Sequence, residues 1–184
     1  MKYIIALALL LNFSSLHAQK NENMVPWDMY HKLSINDFTI KSKADTLTPY
    51  FNGTFTIFFY KGVKLGNNYN KNVQAQMSKS ASWLDTSISV EGQLRIIQLD
   101  FDIAEVYARK IRKRLREESF SKKKFLAIYD DIVTEWTKRR TVYYNDLFKK
   151  GQHSGETLTK WEEIINEELS QLEEFIGKGR DKSD

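Results

Sequence analysis

Three acidic side chains lie close together in one long apolar stretch of the chain, and they are the residues most suited to chemistry. Asp100, Asp102 and Glu105 fall within Val90–Glu117. Two carboxylates can share the work of a general acid and a general base when their surroundings separate their pKa values. The three acids are therefore candidates for the catalytic residues of a hydrolase.

The same acids can instead be structural. A buried carboxylate needs a partner, so Asp100 could accept hydrogen bonds from the backbone or from a nearby Lys or Arg. Glu105 precedes Arg109 by four residues, the favourable order for an ion pair on a helix. Residues three apart on a helix, such as Asp102 and Glu105, seldom stand on opposite sides of a substrate. This spacing favours the structural interpretation.

Histidine is scarce, which limits metal chemistry. Of the three histidines, His17 belongs to an expected leader, and His31 and His153 remain. A catalytic zinc site commonly takes three protein ligands, often histidines. His153 could be a ligand or an ordinary surface histidine. Neither HExxH, a GxSxG elbow nor a Gly-rich phosphate loop occurs in the chain, so the inventory disfavours a hydrolytic zinc centre.

A strongly basic stretch follows the acids, beginning at Arg109 and ending at Lys124. It could bind nucleic acid or anionic lipid. Cations are also favoured near a helix C-terminus, and here they could meet acids of the last helix: Glu162, Glu163, Glu167, Glu168, Glu173 and Glu174. The formal net charge of +4 does not by itself indicate nucleic acid. We expect no nucleic-acid partner, because little is available to an exported protein.

Helical periodicity fills the second half of the chain. The stretch Val90–Glu117 has apolar residues at spacings of three and four and a second apolar set in its first half. A helix that is apolar on most sides is buried, so this helix is expected to run through the core. Two further helices are predicted at residues 121–149 and 156–176, and a polar tail at residues 177–184.

Strand patterns come first in the chain. Residues 50–60 alternate and are rich in aromatic and β-branched side chains, which predicts a strand. Shorter strands are predicted at residues 73–77 and 81–84, and a capped turn at residues 34–37. Strands followed by helices predict an α+β fold, with one small antiparallel sheet and three long helices. Residues 19–176 would form a single domain.

The N-terminus predicts export. Lys2, the apolar run from Ile4 to Leu11 and the small residue Ala18 have the pattern of a secretory signal at residues 1–18. The apolar run is shorter than the roughly 20 residues of a transmembrane helix, and no later run could span a bilayer. The chain has no cysteine, which excludes disulfides, thiol catalysis and cysteine zinc sites. We expect a bacterial protein that is periplasmic or secreted.

The segment from Gln98 to Arg109, QLDFDIAEVYAR, resembles the hallmark helix of a family of secreted bacterial proteins of unknown function. That family's helix reads approximately HEQxHFDIAExYAR and places it near the zincin-like metalloproteases. Other parts of the chain are similar to the family pattern in the same order: residues 33–38 to a leading segment, the strand from Phe55 to Tyr60 and the Ser82-Trp83-Leu84 segment to a strand and an SW pair, and residues 144–161 to a later segment followed by a helix with a tryptophan. The resemblance implies a zincin-like fold for nearly the whole chain after the leader.

The chain departs from the family at the residues that would hold and use zinc. In an HExxH helix two histidines bind the metal and the Glu acts as general base toward metal-bound water. On this resemblance, those histidines correspond to Ile96 and Asp100, and the Glu corresponds to Ile97. An isoleucine side chain can neither bind zinc nor act as a general base. The resemblance leaves Asp100 and His153 as the remains of a former metal pocket.

We therefore expect an exported envelope protein with a degenerate, metal-free metalloprotease-like scaffold, more an inactive domain than an enzyme, that acts by binding or as structure. It would need no cofactor, since zinc is implied only for an intact family site. Its partner would be an envelope protein or polymer. Two alternatives remain open: a divergent hydrolase using Asp100, Asp102, Glu105 and His153, and an anion-binding module using the stretch from Arg109 to Lys124.

Overall fold

The computed structural model describes residues 23–41, 51–59, 73–118, 122–149 and 155–177. The expected leader, Tyr60, His153 and the predicted tail beyond Gly177 lie outside these residues. Strands occupy the first half of the described chain, and three long helices occupy the second. The predicted α+β class, with antiparallel strands before three long helices, is confirmed.

The three long helices are α1 at Val90–Glu117, α2 at Lys122–Leu147 and α3 at Gly155–Gln171. Helix α1 begins where the sequence predicts. The Ser89 hydroxyl accepts a hydrogen bond from the Gly92 amide at 3.3 Å. This bond satisfies one of the backbone donors that a helix leaves free at its N-terminus.

Two short 3-10 turns complete the helical structure. The first, Ile35–Asp37, lies in the predicted capped turn, and the Asp37 carboxylate accepts from the Ser34 amide at 3.0 Å. The second, Glu173–Phe175, follows α3. The sequence predicts one helix to residue 176, whereas the α-helix ends at Gln171 and the tighter turn brings Phe175 into the core.

Six short strands form two three-stranded sheets in the described chain. The strands are β1 Met24–Pro26, β2 Thr39–Lys41, β3 Phe51–Asn52, β4 Phe55–Phe59, β5 Val73–Ser78 and β6 Trp83–Asp85. The first sheet has the order β1–β5–β4 and is antiparallel throughout. The second has the order β2–β6–β3, with β2 parallel to β6 and β3 antiparallel to it. The sequence predicts only one sheet.

A close approach at Gly53 divides the predicted strand at residues 50–60 into β3 and β4. A Cβ at Gly53 would lie 2.7 Å from the Phe55 ring and 2.8 Å from Cγ2 of Ile97 in α1. Such distances are too short for a side chain, so only glycine lets the backbone pass this close to the helix. The chain changes sheets at this point, which strand periodicity alone does not indicate.

Helix α1 is the centre of the fold. It contacts β4, β5, α2 and α3, and its buried residues extend from Gln93 to Leu115. Ile97, Ile103 and Ala104 have no exposed surface. Burial of apolar surface is the main favourable term in folding, at about 25 cal/mol per Å². Each of these neighbouring elements therefore buries apolar surface by packing against α1.

Within the described residues, no helix is both long and apolar enough to cross a membrane.

Candidate functional site

The three predicted acids are all buried on α1, yet each contacts a different part of the molecule. Asp100 is 0% exposed, Asp102 6% and Glu105 1%. Successive helix residues are rotated by about 100°, so Asp100 points away from Asp102 and Glu105, which lie about 60° apart around the helix. Among the described residues, the three carboxylates share no hydrogen-bond donor. The structure therefore places three separate acid sites, not one catalytic cluster.

Asp100 pairs with Arg140 of α2. Arg140 Nε donates to Oδ1 at 2.7 Å, and Nη2 donates to Oδ2 at 2.6 Å. The Tyr144 hydroxyl also donates to Oδ2, at 2.8 Å. Both carboxylate oxygens are thus engaged, in the two-pronged geometry that gives arginine its strength as a carboxylate partner.

The surroundings keep both partners of Asp100 in the form that donates hydrogen bonds. Burial opposes the charge of Arg140, but its hydrogen bonds to Asp100 and the carboxylate charge outweigh burial and raise the pKa of the guanidinium. Burial, followed by the charge of Asp100, raises the pKa of Tyr144, so its hydroxyl keeps its proton. The Arg140 guanidinium also lies 5.7 Å from the Phe55 ring centre and 5.5 Å from that of Trp136.

The positions that correspond to the family's zinc residues are closed in this chain. Ile96 and Ile97 are at most 1% exposed, and isoleucine has no atom that can bind a metal. Gly53 lies directly on Ile97, while both oxygens of Asp100 serve Arg140 and Tyr144. These residues do not fit a zinc ion.

Asp102 fastens the N-terminal segment to α1. Its Oδ1 accepts from Trp27 Nε1 at 2.7 Å and from Gln98 Nε2 at 2.8 Å, and Lys32 Nζ lies 3.5 Å from Oδ2. Burial raises the pKa of Asp102, and the charge of Lys32 and the three hydrogen bonds reverse this effect only in part. Ionisation of this carboxyl group is therefore energetically costly, and hydrogen bonds from the Trp27 indole and the Gln98 side-chain amide stabilise the charged form in part.

Glu105 neutralises two buried arginines. Its Oε1 accepts from Arg109 Nε at 3.1 Å and from Arg112 Nη1 at 2.7 Å, and its Oε2 accepts from Arg112 Nη2 at 3.3 Å. The predicted pair with Arg109 is confirmed. Arg112, seven residues after Glu105, was not predicted, although two helical turns would have brought it to the same face.

Backbone carbonyls accept further hydrogen bonds from these arginines. Arg112 donates to the Val73 carbonyl through Nε at 2.9 Å and Nη2 at 2.8 Å, and to the Phe175 carbonyl through Nη1 at 2.9 Å. Arg109 Nη1 donates to the Leu169 carbonyl at 2.6 Å. The Glu105 cluster (Glu105, Arg109 and Arg112) thus joins α1 to β5, to the last turn of α3 and to the turn after it.

The part of the basic stretch that lies in α1 is neutralised by nearby acids. Every Arg and Lys from Arg109 to Arg116 lies within 4.0 Å of a carboxylate. Two of these acids belong to the predicted acidic set: Lys110 Nζ lies 3.7 Å from Glu168, and Arg116 Nη1 lies 2.8 Å from Glu174. The predicted contact between basic and acidic segments is therefore present.

The predicted metal candidates are not brought together in the described chain. Within the residues that the structure describes, no three His, Cys, Asp or Glu side chains converge as a metal-holding group. His31 is largely exposed and lies 3.2 Å from Asp28. His153 lies outside the described residues, so its predicted role stays a prediction.

Comparison of the chain with models of protein families, with curated proteins and with solved structures gives no match. The resemblance to a zincin-like secreted family therefore stays a prediction that rests on the residues quoted above.

Proposed function

We propose that this chain is an exported protein of the bacterial envelope that acts by binding or as structure, on a zincin-like scaffold that has lost its metal site. The observation that carries the proposal is the pair of Asp100 with Arg140. Asp100 corresponds to a metal-binding histidine in the resemblance, and its two oxygens both bind one guanidinium group. The guanidinium cation of Arg140 therefore binds the residue that corresponds to a zinc ligand in the family.

The permanent charge of Arg140 supports the proposal that Asp100 is neutralised without a metal ion. A buried carboxylate must be neutralised by a proton, a metal ion or a basic side chain. Arginine stays protonated in proteins, and here Asp100 raises the pKa of Arg140 further. A metal ion at Asp100 would have to displace a permanent and well-oriented partner, together with the Tyr144 hydroxyl.

The burial of the central part of α1 also supports the proposal that the metal site is lost. A hydrolytic residue must reach both water and a substrate bond, but Asp100 has no exposed surface, and Ile96 and Ile97 have at most 1%. The backbone at Gly53 occupies the space beside Ile97. The region that would be an open cleft in an active metalloprotease is packed core in this chain.

One observation favours the alternative of a divergent hydrolase. Burial raises the pKa of Asp102, and perturbed carboxyl groups are frequent at catalytic sites. Structural acids are perturbed in the same way, and both oxygens of Asp102 already have partners. If the alternative held, Asp102→Asn would abolish hydrolysis while the protein stayed folded.

Metal analysis of the exported protein tests the leading proposal. The protein should be purified from a bacterial envelope fraction without chelators, its first residue determined by mass spectrometry, and its zinc content measured beside a peptide-hydrolysis assay. We expect cleavage near Ala18, no stoichiometric zinc and no hydrolysis. His153→Ala is the matched variant, because it removes the remaining histidine candidate without changing the Asp100 pair.

One zinc ion per chain that disappears in His153→Ala or in Asp100→Ala would overturn the proposal. Peptide hydrolysis that both variants lose would overturn it in favour of an enzyme.

A further inference from the structure

The segment that follows α3, here called the strap (residues 172–177), has a conformation that its own sequence does not favour. Leu172 and Ile176 continue the apolar spacing of α3, and Gly177 stands where a helix commonly ends. No glycine or proline lies between Gln171 and Gly177. The local sequence therefore favours an α-helix to Ile176, whereas the α-helix ends at Gln171 and a 3-10 turn follows.

The 3-10 turn and a continued α-helix would differ little in backbone hydrogen bonds. In the turn, the Phe175 amide donates to the Leu172 carbonyl at 3.0 Å. The Ile176 amide donates to the Glu173 carbonyl, also at 3.0 Å. In an α-helix the same two amides would donate to Gln171 and Leu172, one residue earlier. Each amide has an acceptor in both forms, so side-chain contacts decide between them.

The two forms bury different side chains. In the turn, Phe175 is 4% exposed, while Leu172 and Ile176 are only partly buried. On a continued helix, Leu172 and Ile176 would lie in line with the buried Ile165, since seven or eleven residues return to the same face. Phe175 would then lie about 80° to one side of Ile165. Burial of Phe175 therefore competes with the helical alignment of Leu172 and Ile176.

Two arginines of α1 hold the strap in the turn. Arg112 Nη1 donates to the Phe175 carbonyl at 2.9 Å. Arg116 Nη1 donates to the Glu174 carboxylate at 2.8 Å, and its guanidinium lies 4.8 Å from the centre of the Phe175 ring. A Cβ at Gly177 would lie 2.8 Å from Arg112 Nη2, so the backbone closes directly over that guanidinium.

We infer that the strap is a two-state element that opens and closes one side of the Glu105 cluster. In the docked state it forms the 3-10 turn and covers Arg112, which is 1% exposed. In the undocked state it continues α3 as an α-helix, and solvent reaches the Arg112 donor that the Phe175 carbonyl leaves. Such opening is local, because it changes a few residues at the end of one element.

The rest of the cluster stays assembled in both states. Arg112 keeps its hydrogen bonds to Glu105 and to the Val73 carbonyl, so α1 remains joined to β5 when the strap leaves. Phe175 is the side chain that decides between the states, because only the docked state buries it. The inference concerns the Glu105 cluster alone and does not depend on the lost metal site.

NMR spectroscopy of the full exported protein tests the inference through the variant Phe175→Ala. This substitution removes the buried anchor and places a good helix former in the strap. We expect the ratio of undocked to docked strap to rise at least about 100-fold, in line with loss of a buried phenylalanine. The Cα chemical shifts of residues 172–176 should move to helical values, while the resonances of α1 stay dispersed.

A control and a milder variant accompany this substitution. Ile164→Ala is the control, since Ile164 is 44% exposed on α3 and should leave the shifts of the strap unchanged. Arg116→Ala removes only partly exposed contacts of the docked strap and should fold even if Phe175→Ala does not. We expect it to speed hydrogen exchange at the Phe175 and Ile176 amides by up to about fivefold, the size of a surface ion pair, without changing exchange in α1.

Three results would overturn the inference. Shifts in Phe175→Ala that move to random-coil values would mean that the strap frays instead of joining α3. Shifts that stay as in the wild type would mean that Phe175 does not decide between the states. Strap amides that exchange only as fast as those of α1, in the wild type and in Arg116→Ala, would mean that the strap opens only when the whole domain unfolds.

Discussion

Asp100 and Glu105 lie about one and a half turns apart on the same helix and are both neutralised by arginine, but in different ways. Asp100 meets one arginine from α2, and the Arg140 side chain is 29% exposed. Glu105 meets two arginines of its own helix, whose side chains are at most 3% exposed. One acid site is close to the surface, and the other is entirely internal.

The difference also extends to the other contacts of the arginines. Among the described residues, the hydrogen-bond partners of Arg140 are the side chains of Asp100 and Tyr144, and no backbone carbonyl accepts from it. Arg109 and Arg112 also bind the carbonyls of Val73, Leu169 and Phe175. The Asp100 site is therefore a pair, whereas the Glu105 cluster is a junction of several backbone segments. We expect a pair to be replaceable and a junction to be indispensable.

Removal of Glu105 should have the largest effect. Glu105→Ala leaves two buried arginines without their carboxylate, and loss of one partner of a buried ion pair costs about 3–5 kcal/mol. Urea denaturation would measure this loss. The control is Glu117→Ala, since Glu117 is exposed and 3.9 Å from Lys113, and a surface pair contributes at most about 1 kcal/mol. If the two substitutions lowered the free energy of unfolding equally, the Glu105 cluster would contribute no more to stability than an exposed ion pair.

Removal of Asp100 should have a smaller effect, and a compensating substitution should reverse it. Asp100→Ala is expected to cost about 2–3 kcal/mol, less than a fully buried pair, because Arg140 can turn toward solvent. The double variant Asp100→Leu with Arg140→Met should recover most of that stability, since apolar residues often replace a buried ion pair without loss.

The equivalent double variant at the junction provides the contrast. Glu105→Leu with Arg112→Met should stay strongly destabilised, because the Val73 and Phe175 carbonyls lose their donor and Arg109 keeps a charge without its carboxylate. Recovery at both sites would show that the comparison between pair and junction is wrong.

Asp102 allows the smallest and most specific test, which depends on pH. Burial raises the pKa of its carboxyl group in the folded protein above the unfolded value. The unfolded chain then loses this proton at a lower pH than the folded chain, so the native state is penalised as pH rises from the unfolded pKa through the raised one. Below the unfolded pKa the penalty is absent.

Asp102→Asn removes this ionisation while its amide oxygen can still accept from Trp27 and Gln98. The free energy of unfolding of the wild type, measured relative to Asp102→Asn, should therefore fall as pH rises across that window. Urea melts of both proteins at several pH values would measure it. A difference that is constant, or that grows with pH, would contradict the burial argument.

The sequence predicts part of this arrangement because part of it is local. The pair of Glu105 with Arg109 follows from a spacing of four residues on one helix, and Ser34 with Asp37 follows from a capping pattern. Arg140 could not be identified in this way. The chain has 28 Lys and Arg residues, and no local pattern selects the one 40 positions after Asp100.

The second sheet was missed for a similar reason. Strand periodicity predicts residues 50–60 as one element, but Gly53 lies against Ile97, and β3 and β4 pair with different neighbours. The contact of Gly53 with Ile97 joins residues more than 40 positions apart. Strand periodicity considers only a few neighbouring residues, so it predicted a single sheet. The role of Trp27 as a donor to Asp102 was missed in the same way.

The sequence by itself determined the class of the fold, the start of the central helix and the ion pairs formed within one helical turn. These features depend on periodicity and spacing over a few residues, which the chain carries wherever it folds. Only the tertiary structure decided that Arg140 neutralises Asp100, that Arg112 ties β5 to the turn after α3, and that Trp27 holds Asp102. Those choices depend on which surfaces of α1 the strands and helices cover, and packing of the whole domain determines that.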